Sequence, residues 1–154
     1  MAAFNKFNSF VEAVAEKVHN LQSDVLKIAL SDVAPVATNT QLSNITQIAA
    51  GNGYVSGGST VTITSSAQTS GLYRLIGNDL VFTASGGSIA QFRYVVLYNS
   101  TATNSELIGW YDFGSEVNIT VGNTFTVDFD NVNGILTTSD GGASWQRVNV
   151  PVFG

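Results

Sequence analysis

Apolar residues change their period once along the chain. Near the start, Phe7, Phe10, Val11, Val14, Val18 and Leu21 recur at intervals of three and four, while Asn8, Glu12, Glu16, Lys17 and His19 fill the other face. That spacing predicts an amphipathic helix over about residues 6 to 20. Ser9 followed by Glu12 reads as a capping box, with Asn5 a rival N-cap one turn earlier. His19 falls on the polar side near the helix C-terminus, where a cation favours the helix dipole, and reads as a solvated or capping histidine.

Beyond this segment the period is two, and turn signals arrive every 8 to 12 residues. Val25 to Leu30 predicts a short strand ended by Ser31-Asp32 and Pro35. A polar loop at 36 to 44 leads to a second strand at Ile45 to Ile48. Gly51-Asn52-Gly53 and Gly57-Gly58 suit positive φ in tight connections. No lysine and no helical pattern follow them, so they make no phosphate cradle. Val61 and Ile63 alternate with Thr62 and Thr64, and Leu72 to Ile76 and Leu80 to Ala84 flank Gly77-Asn78-Asp79, which reads as a hairpin turn. Ile89 to Tyr98 and Leu107 to Phe113 are apolar on both faces, as central strands are. Val117, Ile119 and Val121 alternate before a turn at Gly122-Asn123 into Phe125, Val127 and Phe129. Asn133-Gly134 is the strongest hairpin signal, leading to Ile135 to Thr138.

Ten or eleven short strands after one helix describe a mainly β protein. The expected architecture is a single antiparallel β-sandwich, jelly-roll-like, preceded by one N-terminal amphipathic α-helix. The helix or arm takes residues 1–23, packed on the domain or on a neighbour, and the sandwich takes 24–154, one domain in all.

Composition narrows the function. Ser, Thr, Asn and Gly occupy 60 of 154 positions and charged residues 17, with all three lysines before position 28. Without cysteine there is no disulfide framework, thiol nucleophile or cysteine zinc site. One histidine cannot build a multi-histidine metal centre. Six basic residues against eleven acids, net charge −5, leave little to neutralise a row of phosphates, so neither nucleic acid nor an anionic membrane is an expected partner. No apolar run approaches the ~20 residues of a membrane span, and a signal-peptide pattern is missing, so the expectation is a soluble protein not exported by the common route.

Four clusters are candidate chemistry. Thr138-Ser139-Asp140-Gly141-Gly142-Ala143-Ser144-Trp145 matches the Asp-box pattern of a folded turn. Asp128 and Asp130 alternate with apolar neighbours, so both carboxylates project from one strand face, about 7 Å apart by strand rise. With Asn131 and Asn133 they make an oxygen-rich patch that reads as a solvated edge rather than a calcium loop, because Phe129 breaks the EF-hand pattern. Glu106, Asp112 and Glu116 lie near Trp110 and Tyr111, as a sugar-binding or glycosidase groove requires, although aromatic residues of central strands are usually core. Arg74 and Arg93 are expected to pair with surface acids. No set of nucleophile, base and oxyanion donors emerges, so neither enzyme activity, cofactor nor metal is expected.

Several blocks resemble a family of small virion proteins of tailed bacteriophages: Phe4-Asn5-Lys6-Phe7-Asn8-Ser9-Phe10-Val11-Glu12, Leu26-Lys27-Ile28-Ala29-Leu30 with Ala34-Pro35-Val36-Ala37-Thr38-Asn39, and Ile48-Ala49-Ala50-Gly51-Asn52-Gly53-Tyr54. Further blocks are Phe82-Thr83-Ala84-Ser85-Gly86-Gly87-Ser88-Ile89, Phe92-Arg93-Tyr94-Val95-Val96-Leu97-Tyr98-Asn99 and Leu107-Ile108-Gly109-Trp110-Tyr111-Asp112-Phe113-Gly114. The resemblance covers about residues 4 to 138. It implies a non-enzymatic structural component of the particle, a capsid decoration or cement protein, usually trimeric, that binds the major capsid protein on the outside of the head and ties neighbouring subunits together. Localisation would be the virion, assembled in the host cytoplasm. Alternatives are a tail-tube, adaptor or fibre-base component, or a carbohydrate-binding host-recognition module using Tyr94, Tyr98, Trp110 or Tyr111. The resemblance carries over no functional residue. Phe4, Phe7 and Phe10 are candidate partner contacts, because they give the N-terminal segment more aromatic surface than a short helix needs. They serve either to dock a neighbour or to cover an open end of their own domain.

Overall fold

The structure, a computed structural model, describes residues 2 and 4–139. It is mainly β, and every strand pairing is antiparallel. β1 (Phe4–Lys6) precedes the helix α1 (Ser9–Ala15), and β2 (Leu26–Ser31) follows it. After a single 3₁₀ turn at Leu42–Asn44 come β3 (Ser59–Thr60), β4 (Ile63–Thr69), β5 (Leu72–Gly77), β6 (Leu80–Thr83), β7 (Ile89–Asn99), β8 (Leu107–Ile119), β9 (Thr124–Val127) and β10 (Leu136–Ser139). They form a five-stranded sheet in the order β1-β8-β7-β2-β3, a three-stranded sheet β10-β5-β4 and a two-stranded sheet β6-β9.

The apolar runs are explained by which faces they bury. On β2, Leu26, Ile28 and Leu30 point into a core shared with Leu75 of β5, Phe82 of β6, Val127 of β9 and Leu136 of β10. Ala29, between them, points the other way into a second cluster with Phe7, Ile45, Tyr98 and Leu107. β7 alternates in the same manner, Val95 and Leu97 to the first cluster and Val96 and Tyr98 to the second. A strand covered on both faces loses its polar positions, which is why β7 reads as an unbroken apolar run.

The N-terminal segment departs from its period. Residues 4 to 6 are not helix but an edge strand, Phe4 opposite Tyr111 and Lys6 opposite Gly109. The helix starts at Ser9 behind Asn8, without a side-chain cap, and spans seven residues rather than the expected fifteen or so. It ends in a Schellman motif: Lys17 takes φ +65°, Val18 N–H donates to Ala13 O at 2.8 Å, and Lys17 N–H donates to Val14 O at 3.3 Å. Glycine usually marks that position, and a lysine there gives no stop signal. The shorter helix buries Phe10 and Ala13 and leaves Val11 and Val14 exposed.

Four further expectations change. Ile45 to Ile48 forms no strand; it runs from the 3₁₀ turn to an isolated bridge between Ser31 and Gln47. Gly77-Asn78-Asp79 is no hairpin, because β5 pairs with β4 and β10 while β6 pairs with β9. Asn133-Gly134 does turn the chain, within a bridge from Asp130 to Gly134, but β10 then joins β5 rather than β9. Leu107 to Phe113 and Val117 to Ile119 are one long strand. Among the described residues no helix is long and apolar enough to cross a membrane.

Candidate functional site

Among the described residues an apolar concavity lies where β1, β8, β9 and β10 meet. The groove encloses about 660 Å³ and is walled by Phe4, Tyr111, Phe113, Phe125, Phe129 and Ile135. Asp128, Asp130 and Asn133 supply its polar lining.

A bulge in β8 creates one wall. Phe92 pairs with Val117 and Tyr94 with Asp112, so a single β7 residue, Arg93, faces residues 113 to 116 of β8. The extra residues are pushed out of the ladder and all four are exposed. Gly114 takes φ +94° inside the bulge, and its N–H donates to Asp112 Oδ1 at 2.8 Å. Arg93 clamps the same carboxylate from below, Nε to Oδ1 at 2.8 Å and Nη2 to Oδ2 at 3.0 Å. The Arg93 hydrogen bonds, with the Gly114 N–H, hold the Asp112 carboxyl below its ordinary range. Phe113 is thereby presented half exposed, at 50%. Its ring meets Phe125 edge-on at 5.5 Å, and Phe125 meets the buried Phe92 at 5.0 Å and 85°. This T-shaped ladder anchors an exposed aromatic ring to the core.

The opposite wall is equally fixed. Phe4 and Tyr111 pack at 5.2 Å, Tyr111 and Phe129 at 6.5 Å, and the Tyr111 hydroxyl donates to Ile135 O at 2.8 Å. Burial pushes the Tyr111 phenol up from its ordinary value, so it stays a neutral donor.

Of the partner candidates, only Phe4 reaches this groove. Phe7, with 0% exposure, stacks on Trp110 at 4.6 Å, and Phe10, with 3%, lies in the main core. They cover their own domain and offer no surface to a partner in this fold. Among the aromatic residues named for sugar binding, Tyr98 is buried with its hydroxyl donating to Gly57 O, Trp110 packs on Phe7, and Tyr111 is a groove wall. Tyr94 lies beneath the Arg93 guanidinium at 5.5 Å.

Glu106 stands apart from the other carboxylates of the expected groove. Glu106 and Asp112 are six residues apart on one extended run, about 20 Å by strand rise, too far for a glycosidase pair. Glu106 accepts from Asn104 N and Nδ2 at 3.1 Å each, and Glu116 is exposed on the bulge. Asp130 Oδ1 accepts the N–H groups of Asn133 at 2.5 Å and Val132 at 2.8 Å, which closes the turn and lowers its carboxyl pKa. Among the described residues no three His, Asp or Glu side chains converge as a metal site needs. Arg93 finds its acid, whereas Arg74 Nε is buried without a partner among the described residues. Thr138 and Ser139 close β10, and the remainder of the Asp-box match, from 140 to 145, lies outside the described residues.

Comparison finds no matching family model, no similar curated protein and no similar solved structure. The site therefore stands on its own geometry.

The bulge escaped the sequence reading because Phe113, Gly114, Ser115 and Glu116 look like the end of one strand before the next. The signal is Gly114 between the apolar run Leu107 to Phe113 and the alternating positions from Val117. His19 departs from its expected solvated or capping place on the helix: it is buried at 6% exposure and hydrogen-bonded to Asn99.

Proposed function

We propose that this chain is a structural protein of a tailed-bacteriophage particle, a decoration or cement protein that binds the major capsid protein on the outside of the head as a homo-oligomer, by contact alone. In this reading the five-stranded sheet packed on the two smaller ones is a jelly-roll-like β-sandwich. The observation that carries the proposal is the aromatic groove with its half-exposed Phe113, held out by the Arg93–Asp112 clamp on a surface otherwise poor in charge and rich in Ser, Thr and Asn. Exposed aromatic residues on a rigid support mark sites of macromolecular contact. The sequence resemblance supports the same reading, and four of its blocks overlap the strands β1, β2, β7 and β8 of the five-stranded sheet.

The decisive experiment mixes the recombinant protein with expanded, undecorated heads and measures co-sedimentation. Saturable binding near the copy number of the capsid protein is expected. No binding would falsify the cement assignment, and a virion copy number far below that of the capsid protein would move the chain to the tail.

A further inference from the structure

His19 and Asn99 lie 80 positions apart and tie the end of the N-terminal segment to the connection between β7 and β8. Asn99 is fully buried. Its Oδ1 accepts the backbone N–H groups of Thr101 at 2.9 Å and Ala102 at 3.2 Å, two donors that cannot reverse. The other end of the amide is thereby fixed as nitrogen, and Nδ2 donates to Asp24 Oδ2 at 2.6 Å and to His19 Nδ1 at 3.1 Å. A ring nitrogen that accepts from an NH₂ group carries no proton, so the single proton of the neutral imidazole is on Nε2. Nε2 itself is buried and has no close hydrogen-bond partner among the described residues. A second proton has to go on Nδ1, where it would point straight at the Asn99 NH₂.

We propose that His19 is the pin of a pH-sensitive latch: neutral, it locks the 100–106 connection to residues 19–24, and protonated, it releases that connection. The charged groups around the ring are Asp24 from the segment after α1 and Glu106 at the start of β8, both of which favour the imidazolium, as does the Leu107 carbonyl. Lys17 borders the adjoining cavity, with Asp24, Thr101 and Glu106 in its lining. The Phe10 ring, 5.7 Å away, is uncharged. Desolvation outweighs the acids and sets the latched His19 below the ordinary value of 6.5. The open form therefore binds the proton first. Latching is at full strength above about pH 6.5 and weakens as the pH falls from there through the lower value of the closed form. Asp24 and Glu106 stand ready to take the imidazolium once it leaves Asn99.

Amide hydrogen exchange between pH 7.5 and 5, corrected for intrinsic rates, tests this. Protection of the Thr101 and Ala102 amides is expected to fall about tenfold per pH unit below about 6.5, while that of Leu30 in β2 holds. His19→Asn keeps an acceptor oxygen at the Nδ1 position without titrating, so its protection is expected to stay flat. An equal fall in both proteins, or no fall in the wild type, overturns the latch. Ring ¹⁵N shifts of the wild type give a second test that needs no variant. A bare Nδ1 and a midpoint below 6.5 support the latch; a protonated Nδ1, or a midpoint at or above 6.5, refutes it.

Discussion

Gly58 sits at φ +74°, and a β-carbon there would collide with the backbone carbonyl of Ile28. Gly114 has a similar backbone, φ +94°, with open space where its β-carbon would go. Both substitutions to alanine incur left-handed strain of about 1 kcal/mol or more, but only Gly58→Ala also drives β3 off β2. Urea denaturation is expected to show Gly58→Ala losing about 3 kcal/mol or more and Gly114→Ala about 1. Equal losses would contradict the close approach. At the same scale, Asp130 is held below its ordinary value near 3.8 by two backbone N–H groups. The stability this carboxylate contributes is complete above that value and lost as the pH falls through the lowered one. An NMR titration of the Asp130 carboxyl should give a midpoint below 3.8, and one above it would disprove the Asx turn.

Elements here are set by what covers them. The seven-residue helix is too short to be stable by itself and holds its shape through Phe10 and Ala13 below it and the Schellman turn at its end. Phe7, between β1 and α1, fills the second core against Trp110 and Leu107. Phe7→Ala is expected to cost about 3 to 5 kcal/mol, whereas Val11→Ala, at a site 56% exposed, should stay within about 0.5. The comparison of denaturation midpoints decides whether this segment belongs to the fold; a small loss at Phe7 would return it to the role of a docking arm. The β8 bulge follows the same rule, since the Arg93–Asp112 clamp and the Phe113–Phe125 contact define it from two sides.

Over the whole molecule, the aromatic groove makes the proposed capsid contact separable from stability. Phe113 is half exposed, so Phe113→Ser should leave the thermal midpoint within a few degrees of wild type. If the groove is the docking surface, the same change weakens head binding by about 2 kcal/mol or more, roughly thirtyfold. Unchanged binding in a co-sedimentation titration would move the contact elsewhere on the protein.

The one-dimensional pattern by itself determined that the chain is mainly β, that β7 and the first half of β8 are central, that a short strand lies at β2, and that turns fall at Gly122-Asn123 and Asn133-Gly134. Alternation and turn chemistry are local, so each of these is written within a few residues. Partner choice is not local. Which strand β5, β6 and β10 would join, and whether residues 45 to 48 would pair at all, depended on surfaces brought together from across the chain. The same reason hid the groove and the latch. Phe4, Phe113, Phe125 and Phe129 are scattered over 126 positions, and His19 meets Asn99 only because the β7–β8 connection folds back over the end of α1. A lysine in the left-handed region and a four-residue bulge are backbone states that only the packed structure selects.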